Sequence, residues 1–196
     1  AMGAKWIFAA SAALTVLSAL PLVSVEFKPT RRALTRPPLG GLLPLCLATL
    51  VYIGIVAIFH TLLPAYAVVG LGLSEFETGT LVTLFTLVRG VAFTPLGSLS
   101  DRFGSKHLIL AGIGSSSIVS LGLAFATAYW ELLALSLLLA VAEGAVYPAV
   151  VSSVSKLGEE SSPGLLLGIF NSVGMIGWGV FPGVGGAMAD HYGPAA

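Results

Sequence analysis

Long apolar stretches alternate with short polar links along the whole chain. Six stretches are long enough to be membrane-spanning helices, because a helix needs about 20 mostly apolar residues to cross the hydrocarbon core. They are too continuous for transmembrane strands, which need about ten alternating residues. The pattern therefore predicts an all-α polytopic membrane protein with six transmembrane helices, at residues 5–24, 42–66, 78–99, 107–128, 131–153 and 164–188.

Composition strengthens this interpretation and removes other classes. Of the 196 residues, 56% are hydrophobic and 9% are charged, against roughly a quarter charged in a soluble domain. The chain has too few polar side chains to coat a soluble surface and is too apolar to be disordered. Its formal net charge is zero, which gives no indication of nucleic acid or of an acidic partner. The apolar composition makes the lipid bilayer the expected partner. The single cysteine, Cys46, lies in an apolar run and is predicted to be a small buried hydrophobe.

Charged residues between the spans predict the orientation. The segment 25–41 and the links after the third and fifth predicted spans lie on one side of the membrane if every span crosses. They hold seven basic residues and the opposite loops hold none, so the positive-inside rule places them in the cytoplasm. We expect a multi-pass protein of the plasma (cell inner) membrane. The first stretch could instead be a signal peptide, but its full spanning length favours a helix. The seven residues are Lys28, Arg31, Arg32, Arg36, Arg102, Lys106 and Lys156.

The most specific motif follows the third predicted span, where residues 97–106 read GSLSDRFGSK. Gly97 would let the helix end approach a neighbour closely, and Gly104 would permit a sharp turn. Asp101 could accept hydrogen bonds from an adjacent helix start or pair with a cation. Arg102 and Lys106 would hold the loop on the cytoplasmic side. The segment resembles the signature loop of the major facilitator superfamily, G-x-L-x-D-R-x-G-[RK]-[RK], although position 105 is a serine.

A second motif lies in the last predicted span. Gly177, Pro182, Gly185 and Gly186 resemble the glycine-proline motif of antiporter subfamilies, G-x-x-x-G-P-x-x-G-G, with Phe181 in place of a glycine. Small residues let helix backbones touch, and a proline frees a carbonyl and allows a bend. The segment could flex during transport or could only pack closely, and both interpretations stay open.

The resemblance implies a helical bundle of the major facilitator type, of which this chain is an incomplete part. Family members usually have twelve spans in two related halves. The chain is similar to helices six to eleven, which makes residues 1–24 the end of the N-terminal bundle and 25–41 the basic cytoplasmic loop between bundles. Residues 42–196 then hold five helices of the C-terminal bundle, and the other half of the transporter is an expected partner. Helices one to five with an additional leading segment are the alternative.

Polar residues inside the predicted spans are the candidates for function. A charge at mid-membrane costs at least ~2.5 kcal/mol, so Arg89 and Glu143 are expected to face a central cavity or each other. Glu143 could take up a proton or contact a cationic substrate, because apolar surroundings favour a neutral carboxyl group. The alternative is a structural ion pair, or an arginine that reaches the interface. His60 could handle protons or be structural, and Asn171 could form an interhelical hydrogen bond.

The resemblance implies a secondary active transporter of small solutes that works by alternating access, and we expect proton coupling and an efflux or antiporter type. An enzyme is the weaker alternative. Gly114 and Ser115 are similar to the serine segment of rhomboid-type intramembrane proteases, but the sixth predicted span has no histidine base. No P-loop, dinucleotide fingerprint or metal-ligand cluster occurs, so no cofactor is expected. A receptor or scaffold on the same fold, without transport, is a third possibility.

Overall fold

A computed structural model describes residues 39–157 and 163–192. All five helices of this part are long and apolar enough to cross a membrane, which confirms the all-α membrane fold there. They match the second to sixth predicted spans, whereas the first predicted span, 5–24, lies outside the described residues. Most of the predicted loop 25–41 also lies outside the described residues, and its last three residues belong to the first described helix. The helices are α1 (Leu39–Ala65), α2 (Glu75–Phe103), α3 (Ser105–Leu123), α4 (Tyr129–Leu157) and α5 (Pro163–Tyr192), with a π-helical turn at Tyr66–Gly70.

Helix α4 lies at the centre of the bundle. It packs against α2 and α3 along its length and also contacts α1 and α5, while α1 packs mainly against α5. An apolar cluster joins α1, α4 and α5 and includes Val56, Val150 and Phe170. Cys46 belongs to this cluster and is a free, buried thiol, as predicted. The arrangement buries the middle of α4, including the polar residues Ser136 and Glu143.

All five helices begin earlier than the apolar pattern predicts, and in two of them acidic side chains cap the first turn. Helix α2 starts at Glu75 and not at 78. The Ser74 hydroxyl accepts from the Glu77 amide (3.2 Å), and the Glu77 carboxylate accepts from the Ser74 amide (2.9 Å), which is a capping box. Helix α4 starts at Tyr129 and not at 131, since the Glu131 carboxylate accepts from the Thr127 amide at 2.8 Å. Polar residues at the membrane edge are therefore helical.

Helix α3 ends earlier than predicted. The fourth predicted span continued to residue 128, but the helix stops at Leu123. Two turn hydrogen bonds follow it, from the Phe125 amide to the Gly122 carbonyl (3.0 Å) and from the Ala126 amide to the Leu123 carbonyl (3.2 Å). These bonds reverse the chain, so that α4 can return against α3.

Candidate functional site

Two of the predicted site residues meet in the middle of the bundle. Arg89 of α2 and Glu143 of α4 form an ion pair, with 3.6 Å between Arg89 Nε and Glu143 Oε2. Their side chains are 19% and 3% exposed. Neither of these two atoms has a hydrogen-bond partner in the described residues. Burial favours pairing because separated charges are costly at low dielectric, but this contact lacks hydrogen-bonding geometry, and the carboxylate keeps capacity for another partner.

Aromatic side chains surround the ion pair. The Tyr52 hydroxyl of α1 donates to the backbone carbonyl of Glu143 (3.0 Å) and so ties a third helix to the site. The Arg89 guanidinium carbon lies 5.7 Å from the centroid of the Phe93 ring, and that ring stacks on Tyr147 with 5.9 Å between centroids. An arginine close to an aromatic face is stabilised by the ring quadrupole. The site therefore holds a cation by both a carboxylate and an aromatic ring.

Sequence reasoning missed the three aromatic members of this site. Tyr52 left one signal, because a phenol in the middle of an apolar span needs a hydrogen-bond partner. Phe93 and Tyr147 left none, since apolar aromatic residues are common in any membrane helix.

His60 belongs to a separate aromatic cluster. Its Nδ1 lies 2.9 Å from the Val56 carbonyl oxygen. A carbonyl only accepts, so Nδ1 carries the proton of this hydrogen bond. The ring centroid lies 5.1 Å from that of Phe85 and 5.5 Å from that of Trp178. His60 is about 12 Å along α1 from Tyr52 at 1.5 Å per residue, so the structure does not place it in the ion-pair site.

Asn171 does not make the interhelical hydrogen bond expected of it. The residue is exposed on α5, and its side chain has no hydrogen bond to another helix within residues 39–157 and 163–192. The packed face of α5 carries Phe170, which is fully buried, and Gly174. The next residue along a helix is rotated by about 100°, which turns Asn171 away from α1. An interhelical hydrogen bond of Asn171 therefore stays a prediction for partners outside the described residues.

The signature loop makes a sharp reversal between α2 and α3. Gly104 has a φ of +88°, which favours glycine, and its amide donates to the Ser100 carbonyl (3.0 Å). Asp101 Oδ1 lies 3.9 Å from Lys156 Nζ at the end of α4. Both of these side chains are exposed, as are Arg102 and Lys106. The loop thus brings together the ends of three helices, α2, α3 and α4.

The contact at Gly97 is looser than expected. A Cβ at this position would lie 3.7 Å from the Cβ of Pro148, which is an ordinary van der Waals contact. The packing of α2 on α4 therefore does not require a glycine there. The same helix pair does depend on glycine at position 144, where an added Cβ would lie 2.8 Å from the Cβ of Ala92.

The glycine-proline segment of α5 contributes unequally to packing. A Cβ at Gly177 would collide with the backbone carbonyl oxygen of Leu50, and one at Gly185 would lie 3.1 Å from Leu62 Cδ1. Gly186 has open space around it. Pro182 lies within the continuous helix. The first two glycines therefore let α5 approach α1 closely, while flexing of the segment stays a prediction.

Comparison with known proteins agrees with this architecture. A family model described as Major Facilitator Superfamily matches residues 45–196, and the chain belongs to this superfamily. An uncharacterized MFS-type transporter of Methanocaldococcus jannaschii is 32% identical over 123 residues, which are 63% of this chain and 32% of the relative. Methyl viologen resistance protein SmvA of Salmonella typhimurium is 31% identical over 155 residues, 76% and 31% of the two chains.

A third relative is the class B tetracycline resistance protein of Escherichia coli. It is 32% identical over 116 residues, which are 58% of this chain and 29% of the relative. The chain therefore spans about a third of the length of the relatives it matches. These relatives are named as transporters or resistance proteins and not as enzymes. The protease alternative also gains nothing from local geometry, because the Ser115 hydroxyl donates to the Ala111 carbonyl of its own helix (2.7 Å).

Proposed function

We propose that this chain forms part of a secondary active transporter that exports small solutes in exchange for protons by alternating access. Membership of the superfamily supports transport, and relatives named for resistance or multidrug efflux, such as LfrA of Mycolicibacterium smegmatis, support export. The chain spans about a third of its relatives' length, so we propose that a second bundle supplies the other wall of the transport pathway.

The buried ion pair is the observation that carries this proposal. Glu143 is almost fully buried, and its single ionic contact in the described residues is a loose one with Arg89. Three partners can neutralise such a carboxylate, namely the arginine, a proton or a cationic substrate. One of these partners at a time is enough to neutralise the carboxylate, and a buried carboxylate with no such partner is energetically unfavourable. Proton binding to Glu143 and pairing with Arg89 are therefore alternatives, which is the basis of coupled exchange.

The pair also joins two helices, so its state affects their packing. Arg89 belongs to α2 and Glu143 to α4. Neutralising Glu143 removes the electrostatic attraction between these helices at mid-membrane depth. A ligand shifts a conformational equilibrium by its differential affinity for the two states. We therefore propose that protonation of Glu143 favours one of the two orientations of the bundle in alternating access.

The test replaces Glu143 by glutamine in the full-length protein, reconstituted into liposomes with an imposed pH gradient. Glu143→Gln is expected to abolish proton-driven solute movement, because the side chain keeps its size but cannot ionise. Glu75→Gln is the matched control, since Glu75 is exposed in the first turn of α2. Gel filtration establishes that both variants are folded. Proton-driven transport that is unchanged in Glu143→Gln would refute the proposed coupling.

We further propose that the protein lies in the plasma (cell inner) membrane with residues 97–106 in the cytoplasm. The basic character of this loop and its exposed Arg102 and Lys106 support that orientation. A Ser105→Cys variant in intact cells should resist labelling by a membrane-impermeant thiol reagent and react with it after the cells are opened. Labelling in intact cells would contradict the orientation.

A further inference from the structure

An aromatic cluster near the end of α1 holds the imidazole ring of His60 between three helices. The centroid of this ring lies 5.1 Å from that of Phe85 on α2 and 5.5 Å from that of Trp178 on α5. Phe59 adds a ring from α1 itself, at 5.8 Å. Phe85 is fully buried, whereas His60 is half-buried and Trp178 is 39% exposed. The imidazole is therefore packed on aromatic rings and can still be reached from outside the described bundle.

The two ring nitrogens of His60 differ in their surroundings. Nδ1 donates to the Val56 carbonyl oxygen at 2.9 Å. It can do so in the neutral ring and in the protonated ring, because Nδ1 carries a hydrogen in both. Nε2 has no hydrogen bond within residues 39–157 and 163–192. A proton can therefore bind at Nε2 without breaking the bond that orients the ring.

A protonated His60 would be a cation in contact with aromatic rings. A cation within about 6 Å of a ring centroid is attracted by the ring quadrupole, and tryptophan is the most favourable partner. The centroid distances to Phe85 and Trp178 are within this limit. No charged residue occurs at positions 39–65 of α1 or 163–189 of α5. The aromatic rings are thus the neighbours on these helices that favour the charged form of the imidazole.

One cation of the described chain acts against a proton on His60. This is Arg89, which follows Phe85 by about one turn of α2. Its charge repels a second cation nearby, but the Glu143 carboxylate of α4 is paired with it. A protonated His60 is therefore compatible with the intact ion pair and is disfavoured when Arg89 is unpaired.

We propose that His60 is a second proton-binding residue of this bundle and that the rings of Phe85 and Trp178 stabilise its protonated form. This goes beyond the proposed function, because proton binding at His60 does not require that Glu143 carries protons. It also links the two positions. Protonation of Glu143 leaves Arg89 unpaired and so disfavours a proton on His60, and by reciprocity a proton on His60 disfavours one on Glu143.

The direct test follows the carbon-13 chemical shift of the histidine Cε1 atoms in the purified full-length protein in detergent. The titration covers about pH 5 to pH 8, the range in which histidine changes its charge. The His60 resonance is identified by its absence from His60→Phe, which keeps an aromatic ring at this position, and gel filtration establishes that this variant is folded. We expect the resonance to move to the position of a protonated imidazole as the pH falls. A resonance that stays at the neutral position down to about pH 5 would overturn the proposal.

A pair of tryptophan variants tests the role of the aromatic rings. Trp178→Leu removes the indole from His60 and should lower the ratio of protonated to neutral His60 about threefold at a given pH. Trp130→Leu is the matched control, because Trp130 is exposed and lies against Tyr129. It should leave the ratio unchanged. Equal ratios in the two variants would overturn the aromatic stabilisation.

A charge variant tests the link between His60 and the ion pair. Glu143→Gln leaves Arg89 without its carboxylate, so the ratio of protonated to neutral His60 should fall. Glu75→Gln is the control, since Glu75 is exposed in the first turn of α2. An unchanged ratio in Glu143→Gln would overturn the link. Failure of the proposed function has a different signature, because Glu143→Gln would then keep proton-driven transport whatever the titration of His60.

Discussion

The contact of α2 with α4 beside the ion pair should depend on Gly144. An alanine Cβ at this position would lie 2.8 Å from the Cβ of Ala92, whereas ordinary contacts begin at 3.4 Å. Both atoms are attached directly to helix backbones and cannot rotate away. The two helices must therefore separate by about 0.6 Å, at the level where Arg89 and Glu143 are already 3.6 Å apart.

Overpacking of this kind costs about 1–3 kcal/mol. Alanine recovers up to about 1 kcal/mol of this, because glycine is unfavourable within a helix. We expect Gly144→Ala to lower the free energy of unfolding by about 1–2 kcal/mol. The measurement is thermal unfolding of the full-length protein in detergent, followed by fluorescence-detected gel filtration.

A second substitution should rescue the first one. In the double variant Gly144→Ala/Ala92→Gly the collision is gone, and the remaining neighbours of the new Cβ are the Arg89 carbonyl oxygen at 3.4 Å and Leu96 Cδ1 at 3.7 Å. A double-mutant cycle should give a favourable coupling of about 1 kcal/mol or more. Gly90→Ala is the control in α2, since nothing lies within 4 Å of its Cβ position. Equal melting of Gly144→Ala and the wild-type protein, or a coupling of zero, would refute the reasoning.

Three further predictions use the same thermal measurement. Ser74→Ala removes one side of the capping box of α2 and should cost about 1 kcal/mol; an unchanged melting temperature would contradict this. Gly177→Ala should destabilise the α1–α5 contact by about 1–3 kcal/mol, because the Cβ meets the backbone of Leu50, whereas Gly186→Ala in open space should not; similar effects of the two would be inconsistent with the structure. Asp101→Ala breaks an exposed ion pair and should cost less than about 1 kcal/mol, so a loss as large as that of Gly177→Ala would count against this assignment.

Much of the candidate site could be predicted from the sequence because membranes penalise charge. Arg89 and Glu143 stand out in apolar spans for that reason, and the structure brings them together. The cost of placing a polar group in the membrane does not indicate which way its side chain faces, however. Asn171 is polar and lies in a span as well, yet it is on the exposed face of α5. His60 lies in an aromatic cluster with Trp178 instead of beside the pair.

In the signature loop, too, some features could be predicted from the sequence and others depend on the tertiary structure. A glycine after a helix predicts a reversal, and Gly104 has the positive φ that the reversal needs. The partner of Asp101 is Lys156, at the end of a different helix, and no local pattern indicates that pairing. The sequence alone does not distinguish Gly97 from Gly144. Only the distance between α2 and α4 at each height shows that the second requires a glycine and the first does not.

The sequence by itself determined the class of protein, the number and approximate limits of the described spans, and the loop that identifies the superfamily. These properties follow from the thickness of the bilayer and from the need of each span to satisfy its own backbone hydrogen bonds, and both act locally along the chain. The tertiary structure alone decided that the Tyr52 hydroxyl bonds to the backbone of Glu143, that Glu143 lines a cavity with the serines of α3, and which glycines carry the helix contacts. Those properties depend on how each helix is rotated about its axis and how far apart the helices lie. An apolar helix face is about equally stable against lipid and against apolar protein, so hydrophobicity alone does not fix the rotation. The rotation and the separation are set instead by side-chain packing between segments that are distant in the sequence.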